Sequence, residues 1–326
     1  MIAASPALDD SGGLRRRITR APLILVVLVV LFGAIGWFDP HFLTAPAILA
    51  FIKRSTPILI ISVGELFALL TGGLDLTVGA VVNFVILGSA LLLNGHGAYT
   101  YAVIVLMILF GALVGVVNGA FVTWLRVPSI IVTIGMALAI NGLALLWSGG
   151  SAPGYLPDNY REFGRSNLSG PGLLDGLPIS VLVLLAAVAV AGWLLHGTGF
   201  GRLLLGLGDN ARAVRLAGAP VAAVRLLAFA ISGAAAALGG VLLGGFSGPS
   251  TDAGAGLELQ AISACVIGGV QLLGGRGNIG MAIAGSLTLQ AIFMLLNLIG
   301  LPKPLRDAIQ GLILIGAAAV AALRRK

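Results

Sequence analysis

Charge is scarce in this chain. Of its 326 residues only 10% are charged, while 58% are hydrophobic and the mean hydropathy is +1.07. A soluble domain is about 25% charged and about 45–50% apolar. A soluble protein of this length could not cover its surface with so few charges. That excludes a soluble globular enzyme, a disordered chain and a nucleic-acid-binding domain. Cysteine is nearly absent, and Cys265 alone cannot form an internal bridge, so a disulfide scaffold is excluded too. Histidine is rare. His41, His96 and His196 are scattered at segment edges with no metal-ligand spacing, and no metal site is expected. There is no G-x-x-x-x-G-K-[ST], so the chain carries no P-loop for ATP, and no Asn-Pro-Ala motif points to a water channel. Aromatics make up 6%, and no basic stretch is interleaved with stacking rings, so the net charge of +7 does not point to nucleic acid.

What the chain has in quantity is long apolar runs. A spanning helix needs about 20 mostly apolar residues. Ten segments qualify: 21–38, 47–71, 74–93, 99–124, 127–149, 177–196, 223–246, 257–275, 277–299 and 305–323. The runs do not alternate polar and apolar residues, which argues against a membrane β-barrel. The expected fold is an all-α polytopic membrane protein of about ten transmembrane helices, with a range of eight to ten. The segment 47–71 is unusual in holding Lys53 and Arg54, and 257–275 is short and glycine-rich.

The basic residues gather at segment ends, where they set orientation. With a cytoplasmic N-terminus, the inner side holds Arg15, Arg16, Arg17, Arg20, Arg126, Arg202, Arg212, Arg215, Arg225, Arg276, Arg324, Arg325 and Lys326. That is 13 of the 19 Lys and Arg, with Lys53, Arg54, Arg161, Arg165, Lys303 and Arg306 outside. The organisation expected is a basic cytoplasmic tail (1–20), a single transmembrane domain (21–323) and a cytoplasmic tail (324–326). Eight spans with two re-entrant segments satisfy the same count. The arginine-rich start could serve a signal peptide, but the run after it is long enough to span and many spans follow, so an uncleaved first helix is expected.

Two connections stand out. Residues 150–176 form the longest external loop, with Asp158, Arg161, Glu162, Arg165 and Asp175. Residues 197–222 form the longest internal one. There Asp209 or Asn210 can cap a helix over 211–216, which Gly218 and Pro220 would stop. That helix would be short, amphipathic and basic, through Arg212 and Arg215. It suits a soluble partner or a lipid headgroup surface equally.

An echo links the halves. Gly73-Leu74-Asp75-Leu76 opens the third segment and Gly256-Leu257-Glu258-Leu259 the eighth. Five spans apart, they run in opposite directions, as an inverted repeat of two pseudo-symmetric halves requires. Glycine is abundant, at 48 residues. Gly111, Gly115 and Gly119 have the small-xxx-small spacing that lets helices pack closely, as do Gly280 and Ala284. The pairs Gly72-Gly73, Gly239-Gly240, Gly268-Gly269 and Gly274-Gly275 suggest broken helices, whose free backbone groups must be covered or line a cavity.

Polar residues inside the apolar segments are few: Glu65, Asp75, Asn83, Asn118, Asn141, Glu258, Gln260, Gln290 and Asn297. Groups of this kind are costly in hydrocarbon and serve either function or hydrogen bonding between helices. Gly245-Phe246-Ser247-Gly248 matches the G-x-S-G of intramembrane serine proteases, but such a serine needs a histidine base, and none lies inside a segment.

Five stretches carry a resemblance. Thr71-Gly72-Gly73-Leu74-Asp75-Leu76-Thr77-Val78-Gly79-Ala80 resembles S-G-G-I-D-L-S-V-G-A. Asn118-Gly119 followed by 127–135 resembles N-G and P-F-I-V-T-L-G. Residues 200–218 resemble G-R…A-x-G-x-N-x-x-A-A-R-L-S-G, 253–262 resemble A-G-x-G-x-E-L-x-A-I, and 266–277 resemble V-I-G-G…L-x-G-G-x-G. In this order they resemble the permease subunits of bacterial ribose/xylose-type sugar ABC transporters over about residues 45–323. The resemblance implies a non-enzymatic subunit of the bacterial inner membrane with both termini cytoplasmic. Its implied partners are a second permease copy, an external sugar-binding protein and a cytoplasmic ATPase that holds the ATP and Mg. It implies a substrate pathway bordered by Glu65, Gly72, Gly73, Asp75, Asn83, Asn118, Glu258 and Gln260. It also implies a coupling element at Asp209, Asn210, Arg212, Arg215 and Gly218. Two departures stand out: Arg212 falls inside the coupling stretch, and only the second half of N-N-G-L-N-L-L-G survives at 293–300. The competing reading is an ion-coupled secondary transporter working through Glu65 and Asp75.

Overall fold

Residues 55–70, which follow the two cations Lys53 and Arg54, are mostly apolar, and every one of them is buried. The computed structural model describes residues 20–169 and 176–323. Arg15, Arg16, Arg17, Asp175, Arg324, Arg325 and Lys326, and with them both expected tails, lie outside the described residues. The helices are α1 (Arg20–Phe38), α2 (Ala45–Leu70), α3 (Val78–Leu93), α4 (Thr100–Trp124), α5 (Ser129–Ser148) and α6 (Asp158–Arg165). They continue as α7 (Ile179–Gly192), α8 (Gly199–Leu216), α9 (Val221–Ser247), α10 (Leu257–Ile267), α11 (Ile279–Leu298) and α12 (Lys303–Leu323). Among the described residues there is no strand, only an isolated bridge between Asn167 and Pro178.

Every apolar segment expected from the sequence carries one of these helices; α6 and α8 occupy the two long connections. Among the described residues six helices are long and apolar enough to cross a membrane, and the apolar stretches at Ile24–Phe38, Val78–Leu93 and Leu257–Ile267 are shorter. The outer surface suits lipid. Large apolar side chains such as Val29, Leu138 and Leu146 are exposed, and Trp37, Trp124, Trp147 and Trp193 sit exposed at helix ends. Tryptophan there marks the membrane–water boundaries.

Two helices form the axis of the packing. α2 and α9 lie against each other, and most other helices touch one of them. α9 packs on α3 and α4, while α2 packs on α10 and α11. Beside them α3 pairs with α4 and α5, as α10 pairs with α11 and α12. Glycine permits the tightest contact. Gly111, Gly115 and Gly119 face α9, where a Cβ on Gly115 would come within 2.6 Å of the Phe229 carbonyl carbon and 2.8 Å of Ala230 Cα. Neither atom can move without shifting a helix. Gly115→Ala should therefore cost about 1–3 kcal/mol of stability. The check is thermal unfolding in detergent beside Gly135→Ala, where an added Cβ meets nothing within 4 Å and the melt should stay put.

Three differences from the sequence reading have physical causes. Gly239-Gly240 does not break its helix: α9 runs through it, and the glycines admit Ile61 and Val85. The eighth segment is helical only over Leu257–Ile267, because Gly269, Gly274 and Gly275 take positive φ and turn the chain repeatedly. Lys53 and Arg54, inside the expected second segment, line a recess together with Arg165. Lys53 donates to Asn167 Oδ1 at 2.8 Å and to the Arg165 carbonyl, beside the end of α6.

Candidate functional site: a clamped helix break

The chain leaves α2 at Thr71 and enters α3 at Val78, and the interval is held by side chains. Gly72 has φ +77°, a left-handed turn that suits glycine. Its N–H donates to Leu69 O at 2.9 Å, and Gly73 N–H to Ala68 O at 3.2 Å, closing the helix end. Leu74 N–H donates to Ser129 Oγ at 3.1 Å, and Thr133 Oγ1 donates to Leu74 O at 3.3 Å. Asp75 N–H donates to Glu65 Oε1 at 3.1 Å. Thr77 gives both its N–H (3.1 Å) and its hydroxyl to Asp75 Oδ1, and accepts Asn118 Nδ2 at 3.1 Å. Backbone that lacks helical partners inside a membrane must find others, and here four side chains, Ser129, Thr133, Glu65 and Asp75, supply them.

This brings three of the expected residues together. Glu65, Asp75 and Asn118 are fully buried in one hydrogen-bonded cluster. Ser232 of α9 reaches Glu65 Oε2 at a long 3.5 Å. Asp75 Oδ2, Asn118 Oδ1 and Ser62 Oγ have no protein partner among the described residues. Gly72 and Gly73 form the turn above the cluster and do not join it.

The second echo segment builds a second junction. Asn83, on α3, accepts the Gly254 N–H at 2.7 Å and donates to Asn141 Oδ1 at 3.3 Å. The Glu258 carboxylate lies against Gly79, the second residue of α3. The starts of α3 and α10 thus meet each other, as two broken helices in opposed halves can. Gln260 is half-buried and separate from both clusters.

The 197–222 connection holds the third feature. Gly199–Leu216 reads as one helix but is interrupted at Asn210, with φ −154° and ψ 90°. Asn210 Oδ1 accepts Ala213 N–H at 3.0 Å, so Asn210 is the cap and the helix expected from 211 starts there. Gly218 takes φ +77° and stops it. Asp209, Asn210, Arg212, Arg215 and Gly218 are all exposed. Just before them Gly208 is pressed against Leu70 and Gly275, and Gly275 N–H donates to Leu70 O at 3.1 Å.

Ser247 is occupied within its own helix, donating to Leu243 O at 2.9 Å. The residues that sequence reasoning missed are Thr77, Ser129, Thr133, Ser232, Gly208 and Gly275. A hydroxyl two residues after Asp75 was a legible turn signal. Ser232 and Gly208 were legible only as small residues among many, and Gly275 only as part of the Gly274-Gly275 pair.

A helical chain with lipid-facing aromatic belts, a clamped helix break and an exposed basic loop helix belongs to the class of polytopic membrane permeases. The family described as branched-chain amino acid transport system / permease component matches residues 47–318. The chain belongs to this family, the ABC-transporter permease family that its motifs resemble. Among curated relatives, the autoinducer 2 import system permease protein LsrC of Yersinia pseudotuberculosis serotype O:3 (strain YPIII) is 34% identical over 90% of this chain and 82% of its own length. LsrC of Shigella flexneri is 34% identical over 89% and 83%. That of Escherichia coli (strain K12 / DH10B) is 34% identical over 89% and 83%. No solved structure matches the chain. It is thus a multi-pass inner-membrane permease component, consistent with a subunit that is itself no enzyme.

Proposed function

We propose that this chain is the translocating subunit of an importer for a small sugar-like solute. An external binding protein delivers the solute, and a separate cytoplasmic ATPase, holding ATP and Mg, drives its passage. The observation that carries this reading is likeness to importer permeases across nine-tenths of the chain. Autoinducer 2, which those relatives import by name, is the first candidate substrate, and ribose or xylose, implied by the motifs, the second. The chain acts with a second permease copy, either its own or a close paralogue. Ten spans place both termini in the cytoplasm, in two inverted halves. The matched packing of α2 and α9, and the meeting of α3 and α10, support that symmetry.

In this reading the two helix breaks border the pathway. Glu65, Asp75 and Asn118 latch one break, Asn83 and Glu258 join it to the other, and Gln260 and the Gly72-Gly73 turn flank them. Unpaired oxygens on Asp75 and Asn118 are available to new partners when the latch rearranges. Asp209 to Gly218 is the coupling element that docks on the ATPase.

Reconstitution tests this. Proteoliposomes holding the chain with its ATPase should take up solute only with the binding protein and ATP, and an ionophore should leave uptake unchanged. Uptake by the chain alone on an ion gradient would overturn the proposal and establish the ion-coupled alternative.

A further inference from the structure

The pocket next to the Gly72-Gly73 turn is basic, and among the described residues no hydrogen bond or ion pair offsets its charge. A cavity of about 190 Å³ is lined by Thr71, Gly72, Gly73, Arg126, Ser129 and Arg225. Three elements build it: the helix break, the turn between α4 and α5, and the start of α9. Arg126 is exposed and Arg225 half-buried. Among the described residues neither guanidinium has a hydrogen-bond partner, and the only ion pair is Lys303 with Asp307, on α12. Arg215 of the loop helix lies close enough to Arg225 to repel it. Guanidinium groups gathered without a counter-charge in a partly water-poor recess repel one another, and a bound anion removes that penalty.

Two further observations point to a ligand. Arg126 holds φ +57°, a left-handed conformation that a non-glycine residue enters at a cost of about 1–2 kcal/mol. Such strain persists where the surroundings impose it, and here it places the arginine at the pocket. Ser129 accepts the Leu74 N–H, so its own hydroxyl proton remains available to a ligand oxygen. The pocket therefore offers two forked cations and a hydroxyl donor. That set fits a phosphate group, whose oxygens take paired N–H donors. A neutral sugar would not need it.

The surroundings favour a lipid as the source. Trp124 and Leu125 are exposed immediately before Arg126, and α4 and α5 carry lipid-facing side chains on either side. A phosphate seated between the arginines would have its acyl chains beside those residues. Basic pockets between membrane helices bind anionic headgroups in this way. We infer that this pocket binds a phosphate-bearing anion, the headgroup of an anionic phospholipid, against the hinge of the broken helix. This goes beyond the transport reading and does not depend on it.

The test measures lipid rather than uptake. The full chain is placed in phosphatidylcholine nanodiscs with increasing phosphatidylglycerol, and bound lipid is counted by native mass spectrometry, with and without inorganic phosphate. Saturable phosphatidylglycerol binding is expected. Arg126→Gln should weaken it about fivefold, and Arg126→Gln with Arg225→Gln about 25-fold, since each basic residue near an anionic headgroup contributes about a fivefold factor. Arg54→Gln, at the other end of the bundle, should leave it unchanged. Arg126 is exposed, so its single variant keeps the test open if the double variant fails to fold. Persistence of binding when phosphate is added identifies the lipid as the source. Saturable binding of phosphate without the lipid, lost in the same variants, keeps the chemistry and assigns a soluble source. Unchanged phosphatidylglycerol retention in the variants, with no phosphate binding, overturns the inference.

Discussion

Glu65→Gln retains most ATP-driven uptake, and Glu65→Leu loses it. Both side chains fill a similar space, so the comparison isolates hydrogen bonding from volume. Glu65 Oε1 accepts the Asp75 N–H, and Oε2 faces the Ser232 hydroxyl. A glutamine carbonyl accepts the same N–H, and its NH₂ faces Ser232 Oγ, which can reverse its role and accept. Neutral bonds are weaker than charge-assisted ones, so a loss within about fivefold is expected. Leucine leaves two buried donors without partners, at about 1–3 kcal/mol each. At the lower end these sum to about 2 kcal/mol, a factor of about thirty in the population with a latched break. The measurement is uptake into proteoliposomes, normalised to inserted protein. The pair also separates the two transport mechanisms. A proton- or ion-coupled transporter needs an ionisable group at this position, so in that case glutamine would be as damaging as leucine.

The latch was half legible in the sequence. A glutamate in an apolar run and an aspartate beside a glycine pair declare themselves, because hydrocarbon tolerates neither without a partner. That they share one network was not legible. Their link is a backbone N–H, and a backbone group leaves no mark on composition. Ser129 reaches Leu74 from another helix, and Thr133 shares its hydroxyl between Leu74 O and Ser129 O of its own helix, whereas hydroxyl residues in apolar helices more often bond only to their own carbonyls, as Ser286 and Thr288 do here.

The helices themselves were legible because each is a long apolar run. Glycine pairs were the ambiguous signal. Gly72-Gly73 ends a helix and Gly239-Gly240 does not, though both are the same dipeptide in apolar surroundings. The difference lies in what lies opposite. At Gly239-Gly240 Ile61 and Val85 fill the space left by the absent side chains, and the helix continues through both glycines. At Gly72-Gly73 the polar residues of the latch are present to receive the freed backbone. The loop helix shows the opposite case. Its cap, span and stop at Asn210, 211–216 and Gly218 were readable in full, because capping is a local interaction.

Gly208→Val should separate ATP hydrolysis from uptake. Gly208 stands immediately before Asp209, the first residue of the proposed coupling element, and its Cα faces the junction of two other segments. A Cβ there would come within 2.7 Å of Gly275 Cα and would also overlap Leu70 O and Gly275 N. Leu70 is the last residue of α2, one step from the break, and Gly275 belongs to the turns that follow α10. A Cβ on Gly274 would come within 2.8 Å of Gly72 N, so the turn of the break touches the same junction. A displacement of the coupling element therefore reaches both broken helices through backbone contact, with no flexible side chain to absorb it. Valine forces these segments apart at about 1–3 kcal/mol, which corresponds to a loss of uptake between about fivefold and hundredfold. The assembled transporter should still hydrolyse ATP, without stimulation by loaded binding protein. Arg212→Glu offers the contrast. Its side chain is exposed, so the substitution should weaken association with the ATPase, and uptake and hydrolysis should fall together. If Gly208→Val transported as well as the native chain, the motion would have to pass along another route. The remaining physical connections are the packing of α8 on α9 and on α2, where Phe200 stacks against Phe67.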